Sequence, residues 1–162
     1  MRKTVIILSI LAIVIAGCGQ TAKKQVAAAE NFVKHLTNGE KLQLFFSDNW
    51  TFVYHADDRC DGSTDGEIAN LSPPKVDEII SVKVLNNGEG WYCDKKDPQE
   101  FYIDFSLKEH VENWDRFEIV NNEGQEKNAI YIEGWGASDY VKLYYNDNEL
   151  IVKMEYRRED PG

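Results

Sequence analysis

The sequence predicts an α+β domain: one N-terminal amphipathic helix packed on a curved antiparallel β-sheet, a meander or partial barrel. Three observations predict it. Apolar residues recur at spacings of three and four in one stretch, Gln25 to Asn38. Beyond it, short alternating or β-branched runs are separated by polar turns. Several runs carry apolar or aromatic residues on both faces, as in Tyr144-Tyr145 and Ile151-Val152. A flat sheet with one helix would leave much of that surface in water, whereas a curved one buries more of it.

In chain order, Val26, Ala29, Val33 and Leu36 make the helical stripe, widened by Ala28 and Phe32, and Gly39 is placed to end it. Leu42, Leu44 and Phe46 alternate between Lys41 and Phe46, a run whose length also allows helix. Trp50, Phe52 and Tyr54 then alternate with Thr51, Val53 and His55. A long polar loop follows, then a β-branched run from Val76 to Leu85. Asn86 to Gly90 turns the chain into Trp91-Tyr92-Cys93. Phe101, Ile103, Phe105 and Leu107 predict the next strand, and Arg116 to Val120 another, ended by the turn Asn121 to Gly124. Ala129 to Trp135, Tyr140 to Tyr145 and Leu150 to Tyr156 complete the set, the last two joined through Asn146 to Asn148. Short strands with short turns predict hairpins. The order of elements, helix first and curved antiparallel sheet after, is similar to that of cystatin and NTF2-type folds.

The first twenty residues follow a different logic. Arg2 and Lys3 precede an apolar run, Val5 to Ala16, broken only by Ser9. About a dozen residues fall short of the roughly 20 that cross hydrocarbon, but they suit a secretory signal. The run ends Ile15-Ala16-Gly17-Cys18, which resembles the lipobox of bacterial lipoproteins. The resemblance implies cleavage after residue 17 and diacylglycerol on the Cys18 sulfur, with further acylation of the new amino terminus. It divides the chain into a signal peptide (1–17), an anchor and short tether (18–25) and a single globular domain (26–162). Localisation is then the cell envelope. Gly19, where the family's inner-membrane proteins tend to carry aspartate, favours the outer membrane in a Gram-negative cell.

The 18 Lys and Arg of the whole chain face 28 Asp and Glu. Losing Arg2 and Lys3 brings the mature charge near −12. Nucleic acid is not expected as a partner, because a phosphate-binding surface needs clustered cations. An acidic domain suits basic partners or simple solubility. Cys60 and Cys93 remain, without a C-x-x-C pair and without histidines at zinc spacing. In an oxidising envelope such a pair is expected to form a disulfide.

The densest polar stretch is Asp57 to Glu67. Within it, Asp61, Ser63 and Asp65 occupy positions one, three and five of a calcium-loop pattern, with Gly66 at six and Ile68 at eight. Position twelve is Ser72 instead of glutamate, and Pro73 and Pro74 bar a following helix. Asp57, Asp58 or Glu67 could complete a shell; the other reading is an exposed turn beside a disulfide. Among the aromatics, Trp50 reads as core, while Trp91 and Trp135 lie near loop ends, where a ring is free to meet a partner.

No G-x-S-x-G, H-E-x-x-H or glycine-rich phosphate loop is present. Catalysis and a resident cofactor are therefore not expected. The expectation is a lipid-anchored, non-enzymatic binding protein for a basic protein partner, of the inhibitor or immunity type. Its contact residues would be Asp57, Asp58, Asp61, Asp65, Glu67, Trp91 and Trp135. The alternatives are a small-ligand or calcium-dependent binding lipoprotein and an envelope hydrolase, the last requiring His55 or His110 in a cleft against a carboxylate.

Overall fold

Strand pairing organises this chain around its centre. The computed structural model describes residues 23–112, 117–121, 129–134 and 139–159. Among the described residues eight strands form one open sheet: β1 (Phe46–Asp58), β2 (Gly62–Leu71), β3 (Ile80–Asn86), β4 (Gln99–Phe105), β5 (Phe117–Asn121), β6 (Ala129–Gly134), β7 (Asp139–Tyr145) and β8 (Ile151–Arg158). Their order is β4-β3-β2-β1-β8-β7-β6-β5. Each half is an antiparallel meander, as the short turns require. The two halves meet where β1 and β8 pair in parallel, with Phe52 beside Met154 and Tyr54 beside Tyr156. The expectation of a purely antiparallel sheet is thus corrected to a mixed one. Local turn signals report hairpins only; a pairing between the first and last strands leaves no local mark.

The register lays the core out in rows. Phe52, Met154, Leu143 and Ile130 stand side by side across four strands, all at most 1 % exposed. Tyr54, Tyr156, Val141 and Ile132 form the next row. Residues 23–37 form helix α1, so residues 23–25 of the expected tether are helical. Ala29, Phe32, Val33 and Leu36 of α1 belong to the same buried cluster. Phe32 meets Phe45 and Phe46 edge-on, at 5.7 and 5.8 Å between ring centroids. The helix ends where Glu40 N–H reaches back to the His35 carbonyl and Gly39 N–H to that of Leu36.

The opposite face explains the double-sided apolar pattern without closing a barrel. There Tyr131, Lys142, Glu155 and Val53 make one row, and Tyr144 and Lys153 lie in the next. Lys142 Nζ sits 4.7 Å from the Tyr131 ring centroid, and Lys153 Nζ 4.6 Å from that of Tyr144. The long cationic stems cover the rings while the charges meet their π faces. Glu155, 4 % exposed, accepts from Tyr144 Oη at 3.0 Å and Arg157 Nε at 2.5 Å. Burial pushes its carboxyl up, but those hydrogen bonds and the neighbouring cations outweigh it and hold it below the usual value.

Three segments differ from the sequence reading. Lys41–Phe46 is mostly a 3-10 turn, Gln43–Phe45, that leads into β1. Val76–Ile79 precedes β3 instead of forming part of it. Leu107 opens a short helix, α2 (Leu107–Glu112), whose first turn receives Ser106: its Oγ accepts from Glu109 N–H and its carbonyl from His110 N–H. The half-buried His110 ring then stacks on Phe105 at 4.3 Å, with its Nδ1 2.7 Å from the Ser106 carbonyl.

The largest correction concerns Asp57 to Glu67. The stretch is not a loop: it is the end of β1, a tight turn and the first half of β2. Its inward positions, Gly62, Thr64 and Gly66, are too small and polar to read as a strand. The reason lies in β3, whose Val82 and Val84 side chains lean over Gly66. A Cβ there would come within 2.6 Å of the Lys83 carbonyl and 2.7 Å of Val84. The apolar cover of β2 is written in its neighbour.

Candidate functional site

The β1–β2 turn and the β3–β4 connection, residues 87–98, are folded against each other to make one tip. Asp58 closes the turn. One of its carboxylate oxygens accepts the N–H groups of Cys60 at 2.8 Å and Asp61 at 3.0 Å. Those two bonds, with Arg158 and Lys96 nearby, hold its carboxyl below the usual aspartate value. Cys60 and Cys93 form the expected disulfide, 33 residues apart, with Cα atoms 4.7 Å from each other. Tyr92 N–H donates to the Arg59 carbonyl at 3.1 Å, and the Arg59 guanidinium lies 5.8 Å over the Tyr92 ring. Gly90 passes so close to the Cys60 backbone that any side chain there would collide with it.

Asn87 stitches the two segments further. Its side-chain oxygen accepts from Ser63 N–H at 3.1 Å and Glu89 N–H at 2.9 Å, and its amide donates to Ser63 Oγ at 2.8 Å. Lys96 pairs with Asp61 across the tip, and Lys95 with Glu89. Trp91 and Tyr92 are nonetheless left in water, 81 % and 76 % exposed. Two large rings held outward on a covalently fixed loop are ordered in advance, so any contact made there would cost little ordering entropy.

Residues of the same two segments line a half-open pocket of about 380 Å³. Ala56, Thr64 and Asn86 form its sheet side, and Gln99 and Phe101 of β4 one wall. Asp58, Asp61 and Asp97 line the remainder with Lys96, so carboxylates outnumber cations and the pocket is acidic. Its size and charge suit a lysine or arginine side chain.

The residues expected at a site divide accordingly. Asp58, Asp61, Trp91, Cys60 and Cys93 come together at the tip. Asp57 and Asp65 stand on the opposite face of the sheet, where His55 joins them. Glu67 is exposed farther along β2, opposite Val53. Trp135 and Cys18 lie outside the described residues. Each residue of the calcium-loop pattern, Asp61, Ser63 and Asp65, has a protein partner in this geometry. Ser63 and Asp65 are strand residues engaged with Asn87 and His55, and Asp61 turns to Lys96. Among the described residues no group of three or more His, Cys, Asp or Glu side chains is placed to hold a metal ion. Tyr92, Asp97 and Phe101 were not singled out in the sequence, since their role comes from the fold-back of residues 87–98.

His55 carries its own chemistry. Its Nδ1 lies 2.5 Å from Asp65 and its Nε2 3.0 Å from Asp57, so both ring nitrogens face carboxylates. Partial burial pulls its pKa down, but the two hydrogen bonds and the two negative charges outweigh burial, and the net shift is upward. A histidine whose folded pKa lies above its unfolded value of about 6.5 stabilises the fold fully below that pH. That stability fades as pH rises through the folded value. His55→Gln is therefore expected to lose about 1–2 kcal/mol near pH 6 and to converge with the wild type in alkali. Urea unfolding across pH 5.5 to about 9 measures the gap, and a pH-independent gap would contradict the clamp.

Among the described residues no helix is long and apolar enough to cross a membrane. In comparisons with known proteins, no family model, no curated protein and no solved structure matches this chain.

Proposed function

We propose that this is a lipid-anchored envelope protein that binds a basic protein partner through its disulfide-tied tip. The observation that carries the reading is the pair of outward rings, Trp91 and Tyr92, on the same disulfide-tied tip whose Asp58, Asp61 and Asp97 line an acidic pocket. Aromatic anchors supply buried area in a complex, and the carboxylates of Asp58, Asp61 and Asp97 select cationic side chains and steer them in. The acidity of the whole chain, −10 before processing, adds a long-range field of the same sign. The lipobox-like Ile15 to Cys18 supports the anchor: an acylated Cys18 a few residues before the domain would hold the tip near the membrane surface. The proposed role is neutralisation or sequestration of a cationic protein arriving at the envelope, and no bond-making step is required.

Site-specific photocrosslinking in the native host tests it. A photoreactive residue at position 92 is expected to capture one discrete basic envelope or secreted protein. The same probe at Glu67, on the far face, is expected to capture none. Equal capture at both positions, or no adduct at 92, would remove the tip from the reading.

A further inference from the structure

We propose that β4 is a docking edge, and that the partner adds to it an extended, cationic strand. This rests on the reading above and specifies the form of the partner.

β4 ends the sheet: it pairs with β3 along its whole length, without a bulge, and among the described residues no strand lies on its other side. In an antiparallel pair only alternate residues bond the neighbour, so the other N–H and C=O groups of Gln99–Phe105 face outward. Proteins normally blunt such an edge with charged side chains, lysine above all, or with proline, a bulge or a very short strand. β4 has seven residues, no lysine, no proline and no bulge, and its two charges, Glu100 and Asp104, repel an acidic strand but attract a cationic one. It is also apolar where it is open: Phe101 and Tyr102 are 42 % and 68 % exposed.

The charge pattern selects the occupant. From residue 97 to 105 the chain carries Asp97, Glu100 and Asp104 and no lysine or arginine. Two copies pairing antiparallel about Tyr102 would set Glu100 opposite Asp104, and like charges directly opposed destabilise a pair. A strand with lysine or arginine facing Asp104, and sharing Glu100 with the Lys83 that bridges it from β3 at 2.7 Å, reverses that sign. Alternation then turns its apolar residues toward Phe101 and Ile103 on the other face. Phe101 also walls the acidic pocket, so a strand on β4 runs directly into the tip. Main-chain pairing would supply affinity and the flanking side chains specificity, as in strand addition generally.

The probe is a seven-residue peptide of alternating lysine and valine with capped ends, alongside the same peptide N-methylated at alternate residues. Amide hydrogen exchange of the domain is followed with each. The unmethylated peptide is expected to slow exchange in residues 99–105 at least tenfold, and the methylated one to leave it unchanged. The double variant E100K/D104K should bind the peptide at least tenfold more weakly. Equal binding of the two peptides, or unchanged exchange in 99–105 at saturation, would overturn the proposal. Protection confined to residues 87–98 and abolished by Trp91→Ala would overturn the edge while leaving the tip reading standing. A shift to dimers, with protection of 99–105 in the absence of peptide, would replace the cationic strand by a second copy and also overturn it.

Discussion

Trp50→Ala is expected to remove about 3–5 kcal/mol of stability, the largest effect of any single substitution considered. Trp50 is 1 % exposed and sits where α1, the 3-10 turn and β1 converge. Its ring lies 4.7 Å from Phe46 and 6.4 Å from Phe52, so truncation opens a cavity lined by other rings that cannot collapse to fill it. A second loss adds to the first. Trp50 Nε1 donates to the Ser72 carbonyl at 2.9 Å, the bond that ties the proline-rich connection after β2 to the core. Trp50→Phe keeps most of the area and loses that bond, so it is expected to cost about 1–2 kcal/mol beyond the smaller ring. Urea unfolding followed by far-ultraviolet circular dichroism separates the two. A Trp50→Ala variant within 1 kcal/mol of wild type would contradict the packing described here.

Removing the disulfide by Cys60→Ala with Cys93→Ala is expected to cost about 3–4 kcal/mol, the chain-entropy value for a loop of this length. Its local consequence is of a different kind. The hydrogen bonds of Asn87 and the Lys96–Asp61 pair remain, so β1, β2 and β3 stay in register. Residues 91–93 are held by the disulfide, the Tyr92-to-Arg59 hydrogen bond and the Arg59 guanidinium over the Tyr92 ring, and with the first gone only exposed non-covalent contacts remain. The rings of Trp91 and Tyr92 then lose their fixed direction, and partner affinity falls although neither ring is altered. Thermal unfolding gives the stability loss, and fluorescence anisotropy of Trp91, measured in a variant without other exposed tryptophan, gives the loosening. Unchanged anisotropy would mean that hydrogen bonds alone order the tip.

How far these features could be read from the chain depends on where their cause lies. β1 and β4 were legible because their own side chains alternate: Trp50, Phe52 and Tyr54 in one, Phe101, Ile103 and Phe105 in the other. The β7–β8 hairpin was legible from Asn146 to Asn148, where the Asn146 side chain accepts from the N–H groups of Asn148 and Leu150. β2 was not, because its inward glycines and threonine are covered by valines from β3. The parallel β1–β8 pair was not, because it joins strands about a hundred residues apart, a choice made by tertiary packing. The site divides the same way. The cysteine pair was expected from its count and from the envelope that the lipobox-like run implies, and Asp58 and Asp61 stood out by density. Asp97 and Phe101 enter only when residues 87–98 fold back over the β1–β2 turn. Asp57 and Asp65, adjacent or near in sequence to the tip carboxylates, alternate to the far face and serve His55 instead.

Calorimetric titration of the captured partner with wild type and the variant W91A/Y92A measures whether the tip carries the binding energy. Both rings are solvent-exposed, so the variant should unfold within about 0.5 kcal/mol of wild type. Its affinity is expected to be at least tenfold weaker, from loss of two aromatic anchors worth about 1–2 kcal/mol each. Equal affinity in a variant of unchanged stability would contradict it.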